Sequence, residues 1–269
     1  MLHPSMLASI HAEQNLEIAS VRASFGVTIS ARMQVLQDGV YTFTDRLVID
    51  GEGITEFVFA RGWLVEIVEL ESGQYFFLRD GEEVRPAQDR FGVFYPSFTF
   101  VRAFAQNMKG RMTGIGNERS YPELPVSPFI FDTDHRGELT SIDQAFDVLR
   151  RSRNRQSIEV VSKPSPVSRN AKNMIDENYL VFPSIARIAE RLKVSHEHLS
   201  RQFKKDYGLS PSAYLHKLRV AEATFRLSLG EEIVDISLDV GYNDLSRFYK
   251  QLRKATHTSP AICRKQIQR

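Results

Sequence analysis

The side chains best suited to chemistry in this chain fall on two stretches near its C-terminal end. Glu197, Ser200, Arg201 and Lys204 stand at i, i+3, i+4 and i+7, a spacing that gathers them on one face of a helix. Leu199 and Phe203 then point the other way. Further on, Ser246, Arg247, Lys250 and Lys254 face outward if Phe248 and Leu252 face inward. A helix that is apolar behind and polar or basic in front fits the major groove of duplex DNA. Base edges there present a donor and acceptor code to such side chains. One such face is ordinary in a helical domain, where charged residues simply meet solvent. Two of the same form, about 50 residues apart, are much harder to explain in that way.

No comparable set supports catalysis. The single cysteine, Cys263, excludes an internal disulfide framework and a cysteine-based zinc site. It lacks the context of a nucleophile, and a partly buried helical cysteine is the favoured reading. The first 167 residues hold His3, His11 and His135 as their only histidines, none within the strand-rich block, so no histidine–carboxylate cluster is available for a metal. There is no nucleophile elbow and no phosphate loop; Gly110 to Gly116 does not read as a Walker sequence. The expectation is no enzyme activity, no cofactor and no metal.

The two polar faces need helices and turns to carry them, and both are legible. Ser184 precedes Ile185, Ala189 and Leu192. Ser195 precedes Leu199, Phe203 and Tyr207, with Gly208 as a stop. Ser210-Pro211 opens a helix of about 18 residues, roughly 27 Å long, with Tyr214, Leu218, Ala221 and Phe225 on one face and Gly230 at its end. Ile233, Ile236 and Val240 form a short helix closed by Gly241, and Asn243 caps the next. Ser259-Pro260 repeats the Ser-Pro start, giving about seven helices in the last 100 residues. The order of short helix, tight turn and second helix occurs twice, at 184–207 and 233–254. That is helix-turn-helix grammar. The joining helix is close in length to the ~34 Å of one DNA turn, so two reading helices would enter successive major-groove segments on one face.

The N-terminal part reads differently. A possible helix or arm spans 5–23. From Gly26 onward apolar and polar residues alternate, as in Val27, Ile29, Ala31, Met33 and Val35. Further strands are expected at Tyr41–Ile49, Ile54–Phe59, Trp63–Leu70, Gln74–Leu78 and Gly92–Tyr95. Between them lie Asp38-Gly39, Asp50-Gly51, Gly53, Arg61-Gly62, Ser72-Gly73 and Asp80-Gly81. This suggests an antiparallel barrel or sandwich. The aromatic residues from Phe57 to Phe100 could line a ligand pocket, but core packing is favoured for most. Residues 105–135 read as irregular, and Thr140 to Arg151 as a helix. Lys163-Pro164-Ser165-Pro166 marks a stiff connection. The expected domains are therefore 1–152, a linker at 153–168, and 169–267.

Composition agrees with a two-part globular chain. The 269 residues are 42% apolar and 25% charged, which excludes wholesale disorder and fibrous repeats. No apolar run approaches the ~18 residues of a membrane span, and the N-terminus has no basic signal-peptide region. A cytoplasmic location is expected. The net charge of +2 conceals an asymmetry: residues 168–269 carry +7 and residues 1–167 carry −5. A basic part joined to an acidic one points to polyanion binding by the basic part alone.

The helical third resembles the AraC/XylS family of bacterial transcription regulators. The resemblance is carried by Leu199-Ser200-Arg201-Gln202-Phe203-Lys204-Lys205 with Gly208 and Ser210-Pro211, then Tyr214-Leu215 and Arg219-Val220-Ala221-Glu222-Ala223. Ile236, Val240-Gly241-Tyr242-Asn243-Asp244, Ser246, Phe248, Ser259-Pro260 and Arg264 continue it, so that it covers about 100 residues from Arg169 to Ile267. The chain departs from the family pattern at Lys250, Leu252, His257 and Cys263. The resemblance implies two helix-turn-helix units bridged by a long helix, with base-reading positions at His196, Glu197, Ser200, Arg201, Leu245, Ser246, Arg247 and Lys250. It also implies a cupin-like sensing and dimerisation domain ahead of them. The implied partners are double-stranded DNA at a promoter or operator and RNA polymerase. A small-molecule effector or a protein partner would act at the N-terminal domain, with a homodimer as the assembly and no membrane. Against the regulator stand a DNA-anchored protein-interaction module and, more weakly, an enzyme using the strand-rich part.

Overall fold

The computed structural model describes residues 16–17, 26–35, 40–59, 62–181, 184–228, 231–242 and 244–256. A strand-rich part comes first and an all-helical part follows, the α+β order expected. The strands are β1 (Leu16–Glu17), β2 (Gly26–Val35), β3 (Val40–Asp50), β4 (Glu52–Phe59), β5 (Trp63–Arg79), β6 (Glu82–Val84), β7 (Arg90–Tyr95), β8 (Thr99–Asn117), β9 (Phe129–Asp132) and β10 (Arg153–Ser157). They form one antiparallel sheet in the order β1-β2-β3-β8-β5-β7-β9-β10, with β4 paired to β8 and β6 to β5. Of the segment 5–23 expected as a helix or arm, Leu16 and Glu17 are a strand paired with Val27 and Gly26; the rest lies outside the described residues, as do Asp38-Gly39 and Arg61.

The centre of the sheet is buried on both faces. Along β5, Leu64 and Val68 join one apolar core while Trp63, Val65 and Ile67 join another. Double burial explains why 63–70 reads as a nearly continuous apolar run rather than a strict alternation. The second core is closed by helix α1 (Ile142–Arg151), which lays Ala145, Val148 and Leu149 against it. Its N-cap is Ser141, whose hydroxyl accepts from the Gln144 amide. Glu66 is buried on the opposite face, where its charge acts on Tyr75 and Tyr95. Burial foremost, and then the carboxylate, push both phenols well above their ordinary range. Of the aromatic residues of this block, Phe59, Trp63, Tyr75, Phe77, Phe94, Tyr95 and Phe100 are packed into these cores, while the Phe57 side chain lies outside what is described.

Two strand expectations need correction. Ser72-Gly73 does not end a strand: β5 runs through it, and the register against β8 slips between Leu70 and Gln74. Gly73 takes a φ of 85° there, so the pair makes a bulge. Residues 105–135 are not irregular throughout, because β8 continues to Asn117 and β9 lies within the same range. Gly114 stands opposite Phe43 and Gly116 opposite Tyr41. A β-carbon on Gly114 would lie 2.3 Å from the Phe43 ring, and one on Gly116 2.4 Å from the Tyr41 ring. These glycines make room for rings on the neighbouring strand and do not interrupt it.

The helical part comprises α2 (Pro166–Asn178), α3 (Ile185–Arg191), α4 (His196–Tyr207), α5 (Pro211–Ser228), α6 (Ile233–Asp239) and α7 (Leu245–Thr256). The segment 153–168 expected between the two parts contains β10 and the first turn of α2. The stretch between them is held to the sheet: the Asp80 amide donates to Val160 O at 2.9 Å, and the Ser162 amide to Asp80 Oδ1 at 3.0 Å. The helices also dock on the β4–β8 edge. Glu56 meets both Arg102 of β8 and Lys217 of α5 at 3.1 Å. Arg102 also donates to the Tyr207 carbonyl at the end of α4, at 3.1 Å, and Lys172 donates to Phe98 O at 2.8 Å. The first core runs without a break from the sheet into α2, α3, α4 and α5.

Candidate nucleic-acid interface

Each of the two units is built by the same local rules. In the first, α3 ends at Leu192 and Lys193 turns the chain with a φ of 55°. The Lys193 amide donates to Glu190 O and the Val194 amide to Ala189 O, both at 3.0 Å. In the second, Gly241 makes the turn with a φ of 80°, its amide donating to Leu238 O and that of Tyr242 to Ser237 O, again at 3.0 Å. These bonds satisfy carbonyls that a helix end would otherwise leave free. Ser195 then caps α4, its hydroxyl accepting from the His198 amide at 3.1 Å. Asp244 does the same for α7, accepting from the Ser246 amide at 2.9 Å. Asn243, the cap expected from sequence, lies outside the described residues.

The faces separate cleanly. Leu199 and Phe203 are wholly buried in the first core, and Phe248 and Leu252 in a third core made by the second unit. In front, His196, Glu197, Arg201 and Lys204 of α4 are exposed, with Ser200 at the edge. On α7, Ser246, Arg247 and Lys250 are exposed, while Leu245 is half-buried against the third core. The Lys254 side chain lies outside what is described. Arg253, passed over in the sequence reading, is exposed where Lys204 stands on α4, since Phe248 and Leu252 occupy the places of Leu199 and Phe203. Arg201, Lys204, Arg247, Lys250 and Arg253 form no ion pair with another described residue. By contrast, Lys172, Lys217 and Arg226 are paired with carboxylates, those of Lys172 and Lys217 largely buried.

Two groups have their ionisation set by this geometry. A hydrogen bond from its own amide, and then one from the Ser195 hydroxyl, hold the Glu197 carboxyl below the usual carboxylate range. Glu197 is thus a fixed anion in the first turn of α4, an acceptor suited to a cytosine amino group. His216 of α5 places Nδ1 at 3.1 Å from the Tyr242 hydroxyl and stacks on that ring. Burial first, then the charges of Arg247 and Arg219, push its pKa down. Among the described residues no helix is long and apolar enough to cross a membrane.

Comparison with known proteins falls on this same region. A family model described as a helix-turn-helix domain matches residues 188–266, which take in both turns and both exposed faces. The match falls on the same residues whose sequence resembles the AraC/XylS family. An HTH-type transcriptional activator, RhaS, of Pectobacterium carotovorum subsp. carotovorum is 32% identical over 93 residues, covering 34% of this chain and 33% of that protein. The raffinose operon transcriptional regulatory protein RafR of Pediococcus pentosaceus is 34% identical over 98 residues, 36% of this chain and 35% of that one. The chain thus spans about a third of the length of the curated relatives it matches. Among solved structures, the C-terminal domain of the response regulator AraT from Geobacillus stearothermophilus is 32% identical. That likeness covers 39% of this chain and 88% of AraT's, with a TM-score of 0.36. ToxT from Vibrio cholerae O395 is 9% identical with a TM-score of 0.44, over 81% of this chain and 98% of its own.

Proposed function

We propose that this chain is a sequence-specific DNA-binding transcription regulator of the AraC/XylS type, reading duplex DNA with α4 and α7. The observation that carries the reading is the pair of exposed polar faces on these helices: Arg201, Lys204, Arg247, Lys250 and Arg253 form no ion pair among the described residues, while Leu199, Phe203, Phe248 and Leu252 behind them are fully buried. His196, Glu197, Ser200, Arg201 and Lys204 would meet one major-groove segment. Leu245, Ser246, Arg247, Lys250 and Lys254 would meet the next, with Arg253 beside them. Activation of transcription is supported by the similarity to RhaS, a transcriptional activator, and RNA polymerase would then be the partner. Mobility shifts of the full chain on selected duplexes test the proposal. Binding should weaken steeply as salt rises, because each neutralised phosphate releases counterions. A folded chain that binds no duplex at low salt overturns it.

The strand-rich, acidic part is assigned the regulatory and dimerising role, without DNA contact of its own. What supports an effector role is a cavity of about 610 Å³ between the β7–β8 turn, the stretch 159–164 and α2. Phe98, Phe100, Arg169, Lys172 and Tyr207 line it, so an occupant would touch the sheet, α2 and the end of α4 together. A small-molecule effector suits such a space better than a protein partner. Thermal melting of the full chain against small acids and neutral metabolites tests that choice; stabilisation follows ligand concentration if the cavity is used.

A further inference from the structure

The two units keep separate cores along one shared helix. Leu215, Leu218 and Ala221 of α5 belong to the first core, whereas Val220 and Ala223 belong to the third, with Ile236, Val240 and Phe248. Leu180, half-buried, packs against both. Apolar contact is non-directional. Two cores on different faces of one helix do not by themselves fix the rotation of one unit against the other.

A directional contact stands where they meet. Arg219 is 7% exposed, and its guanidinium reaches across α5 in two directions. Nε donates to the Tyr179 carbonyl at the end of α2 at 2.7 Å, and Nη1 donates to the Gly241 carbonyl in the turn of the second unit at 2.9 Å. Its plane lies by the Tyr242 ring, with Cζ 5.7 Å from the ring centre. Tyr179 is held to α5 a second time, because its hydroxyl donates to Glu222 Oε2 at 3.0 Å. Gly241 is close enough that a β-carbon there would lie 2.5 Å from Leu180 O and 2.7 Å from the Arg219 guanidinium. Tyr179 is part of the first core, so one planar, rigid fork ties its carbonyl to the turn that launches α7.

We infer that Arg219 is a positioning residue that fixes the angle between the two reading helices, and with it the separation of the two half-sites in DNA. The inference rests on the proposed DNA-reading role, but its first test does not. In the full chain carrying Cys263→Ser, spin labels are placed at Lys205→Cys and Arg253→Cys, both exposed positions, and the distance distribution between them is measured without DNA. One narrow distance is expected. Arg219→Met should lose it and give a broad distribution while each unit's helices persist by circular dichroism. Arg219→Lys, which offers a point charge to one carbonyl at a time, should fall between. If Arg219→Met does not fold, Arg219→Lys alone decides, and an unchanged narrow distance in the folded variant overturns the inference. Selection from random duplexes gives the second readout. The native chain should return two half-sites at one spacing, and Arg219→Met the same half-sites at mixed spacings; a retained fixed spacing overturns the inference. A native chain that selects no duplex overturns the DNA-reading proposal instead, and the label distances still decide the role of Arg219.

Discussion

Arg201 and Lys250 occupy matching places on their helices but offer different chemistry. The guanidinium of Arg201 is a planar fork able to take both acceptors of one guanine, a contact worth about 1–3 kcal/mol of discrimination. The Lys250 ammonium is a mobile point charge. Arg201→Ala is expected to relax base preference at one operator position. Lys250→Ala should weaken all sequences about equally and flatten the salt dependence by about one phosphate. Binding of both variants to single-base operator mutants at two salt concentrations checks this, and the opposite pattern defeats it. A second expectation concerns His216. Its folded pKa lies below the ordinary imidazole value near 6.5, so the unfolded chain binds its proton first as pH falls. Its contribution to stability is therefore full above that value and is lost as pH falls from it toward the lower folded pKa. Thermal melts from about pH 7.5 to 5 should show the native chain losing ground to His216→Gln over that window. Parallel curves would remove His216 from the account. Exposed positions such as Arg201 were readable because helical period alone decides which way a side chain faces. Arg219 was not, since its partners are carbonyls 40 and 22 residues away, and sequence does not mark a carbonyl's position.

At the level of elements, caps and stops were the most legible features. Ser184, Ser195, Ser210 and Gly208 all sit where a free amide or a left-handed turn required them. The sheet was harder. Glycine reads as punctuation in isolation, yet in β8 it answers to an aromatic ring on another strand, a relation fixed only by register. Gly114→Ala should thus drive a methyl group into the Phe43 ring and cost about 1–3 kcal/mol, seen as a lowered Tm. Phe43→Leu in the same chain should return part of that loss, since the two positions share one space. Additive losses would mean the ring is not what Gly114 accommodates. Lys193 makes a comparable point in the first unit: a non-glycine residue takes the left-handed turn, so the sequence announced the unit through its caps and not through its turn.

Across the whole molecule, the basic and acidic parts are not merely tethered. Glu56 gathers one cation from the sheet and one from α5, and Phe100 packs its ring against Tyr214 at 6.0 Å. The first unit therefore shares its interior with the strand-rich part, and the second keeps an interior of its own. This difference bears on how such a chain can be recombined. A foreign second unit spliced within α5 beyond Ala221 has one small core to bring along and should give a folded hybrid with a new half-site preference. A foreign first unit arrives without surfaces cut for Phe100, Arg102 and Glu56, so that hybrid should melt at lower temperature until those three positions are redrawn to suit it. Inheritance of new operators by exchange of gene segments is then easiest at the trailing unit, while the leading unit is passed on together with the sheet that backs it.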